Sequence, residues 1–269
     1  MASRFPSGAA VGHVTGASRT SLDTIGRSKV TLAGITPGKP SLSTATGSFY
    51  QRPDATADPI GDEEIINYDT PEFQYAGQAY TRIGVTSDGY LVVGGGTGQD
   101  VTPEPNGLPD PKRPNNILAP FWTDLDGTSA GGIRVDVLDR EGARWIVVDW
   151  DVTVFGTSSA RRFQVWLPLT GVSPSANIRY AYDPSALPKA PPGGLKYLVG
   201  AENVAGSAGD ALSGLPKGDL SVPTTAGKPG GSLTYSVTLT GGTAGSVTTS
   251  MTSSTVPGTT VLHTPLAAP

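Results

Sequence analysis

The sequence predicts an all-β protein, a β-sandwich core domain followed by a short, partial immunoglobulin-like β segment at the C-terminus. Three observations carry this. Alternating apolar and polar runs of strand length recur between about residues 63 and 213, with turn-forming residues between them and no helical pattern longer than two turns. The 36 glycines and 24 prolines lie just under the level at which composition alone argues disorder, and they fit short strands with many turns. Ser and Thr are abundant while helix-forming Glu, Lys and Gln are scarce.

The elements follow in chain order. Residues 1–62 are poor in aromatics and read as a linker or the end of a preceding β domain, with Ala10–Val14 and Ser28–Leu32 as its alternating runs. From residue 63 the signals become dense. Phe73-Gln74-Tyr75 and Gln78-Ala79-Tyr80 flank an Ala76-Gly77 turn, and Tyr80–Val85 then alternates. Ser87-Asp88-Gly89 turns the chain back into Tyr90–Val93, a strong hairpin signal. A Pro-rich loop, residues 101–114, leads into the apolar block Ile117–Trp122. Ile133–Val137 and Arg144–Val154 form a long hairpin around Asp139–Gly142. In Arg162–Leu167, Phe163 and Val165 share one face, Gln164 and Trp166 the other. Ile178–Tyr182 and Leu195–Val199 complete the core domain, residues 63–213. Residues 214–269 return to Gly, Ser and Thr, with three alternating runs and Tyr235 as their single aromatic; this is the partial immunoglobulin-like repeat.

Composition removes several function classes. Charged residues are 16% of the chain, net charge is -4 and no basic patch stands out, which argues against nucleic acid as a partner. The chain has no cysteine, which excludes disulfides, thiolate chemistry and Cys-ligated zinc. No segment approaches 18 uninterrupted apolar residues, so no membrane-spanning helix is expected. Met1–Gly12 lacks the apolar stretch of a signal peptide, so the expectation is either an excised fragment or export directed by sequence outside this one.

The block Asn115–Asp126, reading Asn-Asn-Ile-Leu-Ala-Pro-Phe-Trp-Thr-Asp-Leu-Asp after the Tyr80–Val93 hairpin, resembles the core motif of nidogen-type extracellular domains. The fuller order adds Ile146–Trp150, Phe163–Trp166 and Val199–Asn203. It looks like the modules that follow the catalytic domain in secreted, actinobacterial subtilisin-like serine peptidases. This resemblance covers roughly residues 63–265. It implies a secreted, non-catalytic accessory module that positions or binds protein substrate or the cell surface, with a peptidase domain on the same polypeptide. The alternative it implies is an independent extracellular adhesion module of the nidogen class. No peptidase-domain motif lies in the chain, so no peptidase activity is carried over.

Gly156–Ala160 resembles the nucleophile turn of a subtilisin-type triad, with Ser158 as nucleophile. It lies between two strand-like runs, no apolar helix follows it, and the two histidines, His13 and His263, sit in sparse terminal segments. A hairpin turn is the better reading. Asp124 and Asp126 are alternate carboxylates before Gly127, half of a calcium loop; calcium is the cofactor they would admit, against a solvated or backbone-capping turn. Asp136, Glu141, Asp149, Asp151 and Glu202 show no pattern that marks a glycosidase pair. Among the aromatics, Trp150, Trp166 and Tyr182 are the candidates for a peptide- or sugar-stacking surface, against core packing. Trp145 and Trp150 have opposite parity and so face opposite sides of their sheet. Gly94–Gly98 lacks the Lys and the following helix of a phosphate loop.

Overall fold

The two tight turns Ala76-Gly77 and Glu141-Gly142 set the hairpins of residues 65–86 and 132–154. Both residues of each pair take positive φ, 49° and 77° in the first and 53° and 72° in the second, the backbone that matches the twist of antiparallel strands. The computed structural model describes residues 29–31, 38–58, 60–128, 131–170, 176–224, 233–238 and 246–251. Its strands begin with β1 (Lys29–Thr31), β2 (Ser43–Thr44), β3 (Ile65–Tyr75), β4 (Gln78–Thr86), β5 (Leu91–Val93), β6 (Ile117–Trp122), β7 (Leu125–Asp126) and β8 (Gly132–Arg140). They continue with β9 (Ala143–Val154), β10 (Ala160–Pro168), β11 (Ile178–Tyr182), β12 (Leu198–Glu202), β13 (Gly209–Ala211), β14 (Leu220–Val222), β15 (Leu233–Thr238) and β16 (Ser246–Met251).

The chain divides into two units, Pro37–Gly227 and the two terminal segments Met1–Thr36 with Lys228–Pro269. In the terminal unit β1 pairs antiparallel with β15, and β15 with β16. The runs at Ala10–Val14 and Thr259–His263 lie outside the described residues, as do His13 and His263.

Pro37–Gly227 is the sandwich. One sheet runs β2-β14-β11-β10-β9-β7, with β8 also on β9; the other runs β13-β12-β6-β5-β4-β3. Between them lie Phe73, Tyr75, Ile83, Val85, Leu118 and Phe121 from one sheet, and Val148, Trp150, Phe163, Val165, Tyr180 and Tyr182 from the other. This layer carries the hydrophobic stabilisation of the unit. Its polar tips are satisfied across the gap: Trp150 Nε1 donates to Thr86 O (2.9 Å), Tyr180 Oη to Gly200 O (2.7 Å) and Tyr182 Oη to Pro120 O (2.9 Å). Pro71, which can donate nothing to a ladder, lies in the edge strand β3 within its irregularity between Asp69 and Phe73.

Each sheet also has a covered outer face. On β9 and β10, Trp145 and Trp166 point away from the central layer, on the side opposite Trp150, and Phe49 seals them. The cover is held by polar ties. Gln51 N donates to Gln164 Oε1 (3.1 Å), Gln164 Nε2 donates to Gln51 O (2.8 Å), and Phe49 N donates to Asp219 Oδ2 (2.6 Å). On the other sheet, the Pro-rich loop covers Tyr90 and Trp122, with Trp122 Nε1 donating to Thr102 O (2.8 Å) and Tyr90 Oη to Asp100 O (2.7 Å).

The compact unit is therefore wider than the 63–213 that composition marks. Residues 38–62 cover the sandwich instead of linking to it, and β14, within the segment read as an immunoglobulin-like repeat, completes the first sheet through β11 and β2.

Candidate functional site

Three segments meet where the first hairpins turn. The residues before β3 form a bend in which Gly61 N donates to Glu64 Oε2 (2.9 Å). The β4–β5 turn is tied to it twice, by Ser87 N to Glu64 O (3.0 Å) and by Glu64 N to Ser87 Oγ (3.2 Å). The same turn grips the chain between β6 and β7: Thr123 N donates to Asp88 O (3.2 Å), and Leu125 N to Asp88 Oδ1 (3.4 Å). Gly89 makes that approach possible. Its φ is +78°, and a Cβ there would run into Phe121 O.

These ties concentrate negative charge. Carboxylate oxygens of Asp62, Glu63 and Asp124 lie within 4.8 Å of one another. Asp88 stands beside Asp124, because the amides it accepts and holds belong to the residues on either side of it. Asp88 is fully buried, Asp62 and Asp124 are half-buried and Glu63 is exposed. Asp62 Oδ1, Asp88 Oδ2 and Asp124 Oδ1 are buried oxygens without a hydrogen-bond partner.

The electrostatics follow from this placement. Burial first, then the neighbouring Asp124, Glu63 and Asp62, push the Asp88 carboxyl up to about 8. Asp62 is raised by burial and by Glu63, Asp124 and Asp126; Asp124 is raised by burial, Glu63 and Glu104. Among the described residues no Lys or Arg pairs with any of the four. Three other buried carboxylates have arginines, Asp100 with Arg113, Asp149 with Arg134 and Asp151 with Arg52 and Arg162, whereas Glu202 and Asp219 accept from backbone amides.

The family comparison bears on the whole sandwich. A family model described as NIDO related matches residues 41–213. The chain belongs to the NIDO-related family. No curated protein and no solved structure matches it. The match begins close to β2, in agreement with residues 38–62 being part of the folded unit. NIDO-related domains are a non-catalytic, extracellular type of module, and among the described residues no helix is long and apolar enough to cross a membrane.

Within this NIDO-related module the residues singled out in the sequence separate. Trp150 and Tyr182 lie in the central layer and Trp166 under Phe49, each exposed by 1% or less, so none offers a ring to a ligand. Trp145 and Trp150 do face opposite sides. Ser158 is exposed in the β9–β10 hairpin, where Thr157 N donates to Val154 O (3.0 Å). Gly96 is pinned by Asn67, which accepts from its N–H (2.8 Å) and donates to its carbonyl (2.9 Å). Asp126 uses Oδ1 to accept from Thr128 N (2.8 Å) and Thr128 Oγ1 (2.6 Å), the backbone-capping role. Asp124 instead joins Asp62, Glu63 and Asp88. Those three were not legible as a site: Asp88 reads as a hairpin turn residue, and Asp62-Glu63-Glu64 as an ordinary acidic run before a strand.

Proposed function

We propose that this NIDO-related chain is a non-catalytic accessory module of a secreted subtilisin-like serine peptidase, positioning or binding protein substrate or the cell surface. The observation that carries the reading is the order of motifs along the sandwich: the Tyr80–Val93 hairpin, Asn115–Asp126, Ile146–Trp150, Phe163–Trp166 and Val199–Asn203. The architecture supports a contact role. The large rings on both outer faces are covered, and Phe155 (49% exposed), on the β9–β10 hairpin, and Val137 (43%) are the large apolar side chains left open to a protein partner among the described residues.

A second reading is an independent extracellular adhesion module, supported by the match to the NIDO-related family, an extracellular type of module. One experiment separates the two. An antibody raised to the sandwich is used on the secreted fraction of the producing organism, alongside a fluorophosphonate serine-hydrolase probe. A probe-labelled band much larger than 27.5 kDa supports the peptidase appendage. An unlabelled secreted band supports the adhesion module, and confinement of the antigen to the cell interior sinks both.

A further inference from the structure

We propose that Asp62, Glu63 and Asp124, backed by the buried carboxyl of Asp88, form a binding site for one divalent cation, with calcium the preferred ion. The cluster of carboxylates is one observation. A second and independent one is Asp88, with 0% exposure, whose Oδ2 has no partner while its Oδ1 and carbonyl hold the amides on either side of Asp124.

A buried carboxylate oxygen left without a donor carries its full desolvation cost, and like charges beside it add to that cost. At Asp151 this fold answers the problem with Arg52 (2.8 Å) and Arg162 (3.0 Å). Here, among the described residues, no Lys or Arg pairs with the cluster. Lys196, whose carbonyl accepts from Thr123 Oγ1, sends its ammonium to Glu104 (3.0 Å). A hard dication that takes only oxygen ligands is the species such a site accepts. Calcium is preferred over magnesium because the carboxylates come from two separate segments with the β4–β5 turn behind them, and calcium tolerates irregular geometry where magnesium demands a near-ideal octahedron. Backbone carbonyls and water would complete the shell.

The ligand set differs from the alternate Asp124-Asp126 pair of the sequence, because Asp126 is engaged by Thr128. A bound ion would join the bend before β3, the β4–β5 turn and the β6–β7 connection, which are otherwise linked by a few hydrogen bonds. Affinity typical of extracellular modules, about 0.1–1 mM, would make the module's stability respond to the calcium outside cells. This inference is independent of whether a peptidase is attached.

The test uses the full 269-residue chain, stripped with chelator at neutral pH and followed by tryptophan fluorescence, since all four tryptophans lie in the sandwich. Added calcium should raise Tm with the logarithm of its concentration above Kd, by roughly 5–10 °C at about a hundred times Kd, with ionic strength held constant and magnesium less effective. Asp124→Asn and Asp88→Asn should remove most of that rise. Both should melt no lower than the parent in chelator, because the amide relieves repulsion while keeping the shape. Asp139→Asn, at an exposed pair with Arg144, should leave the rise intact. Titration calorimetry on the unaltered chain should give one calcium per chain. Absence of a Tm rise and of calorimetric binding up to about 10 mM calcium overturns the proposal. So does an undiminished rise in Asp124→Asn, or a rise matched by sodium chloride.

Discussion

Phe49 meets Trp166 edge to face, with ring centroids 5.2 Å apart at 81°, and makes the same kind of contact with Trp145. Arg140 completes the cover, its guanidinium 4.3 Å from the Phe49 ring centre while Nη1 donates to Phe49 O (2.9 Å). A short segment with no strand pairing thus replaces solvent over Trp145 and Trp166 on this face of the sheet. Phe49→Ala should cost about 3–5 kcal/mol in urea unfolding. A double-mutant cycle with Trp166→Ala should return a coupling of about 0.5–1.5 kcal/mol. Unfolding within about 0.5 kcal/mol of the parent would mean that the strap only rests on the sheet.

Trp122 plays the matching part on the other sheet, packed against Tyr90 at 4.5 Å and anchored to the loop through Thr102 O. Trp122→Ala should cost about 3–5 kcal/mol. It should also loosen the covering loop before the sandwich unfolds, because Thr102 O loses its donor. Limited proteolysis should therefore cut the variant first between residues 101 and 114. A variant cut at the same sites and rates as the parent would show that the loop is held by other contacts.

How much of this was legible in advance depended on whether the information was local. The turns at Ala76-Gly77 and Ser87-Asp88-Gly89, and the opposed faces of Trp145 and Trp150, follow from dihedral preferences and the two-residue period of a strand. The strap was not legible. Phe49 sits in a stretch without alternation, and the strap's fixings are remote: Asp219 lies 170 residues beyond Phe49, and Gln164 lies 113 beyond Gln51. The same holds for the acidic site, where Asp62 and Asp124 become neighbours only through the pairing of strands that lie between them. Aromatic count misled about a stacking surface, since a two-sheet core with two covers needs large rings in three layers.

Ser158 gives a direct check on the non-catalytic character of the module. It is exposed on a hairpin, with the neighbouring Ser159 Oγ accepting from Arg161 (2.9 Å) and no base recorded beside it among the described residues. Ser158→Ala should leave unfolding within about ±0.5 kcal/mol of the parent. It should also leave fluorophosphonate labelling of the purified chain unchanged, at background. Labelling above background that disappears in the variant would make Ser158 a nucleophile.

Glu202 supplies a pH-dependent stability. It is fully buried at the end of β12, where Oε1 accepts from Asp110 N (2.5 Å), and burial, with Asp110 nearby, lifts its carboxyl to about 7 from 4.5. With its nitrogen turned inward, the Asn115 amide donates to Oε2 (3.2 Å) and to Asp110 O (2.9 Å). Because the folded state holds the proton more tightly than the unfolded chain, the associated stability is complete below pH 4.5. It drains as pH rises and is gone above about 7. The loss is at most about 3 kcal/mol. Glu202→Gln cannot ionise, and a half-turn of the Asn115 amide lets that side chain accept where it had donated. The difference in unfolding free energy between variant and parent should therefore grow in the variant's favour from pH 4.5 to about 7 and then level off. Other buried acids cancel in that difference. A flat difference across the window would mean that the hydrogen bonds from Asp110 and Asn115 outweigh burial and keep Glu202 ionised.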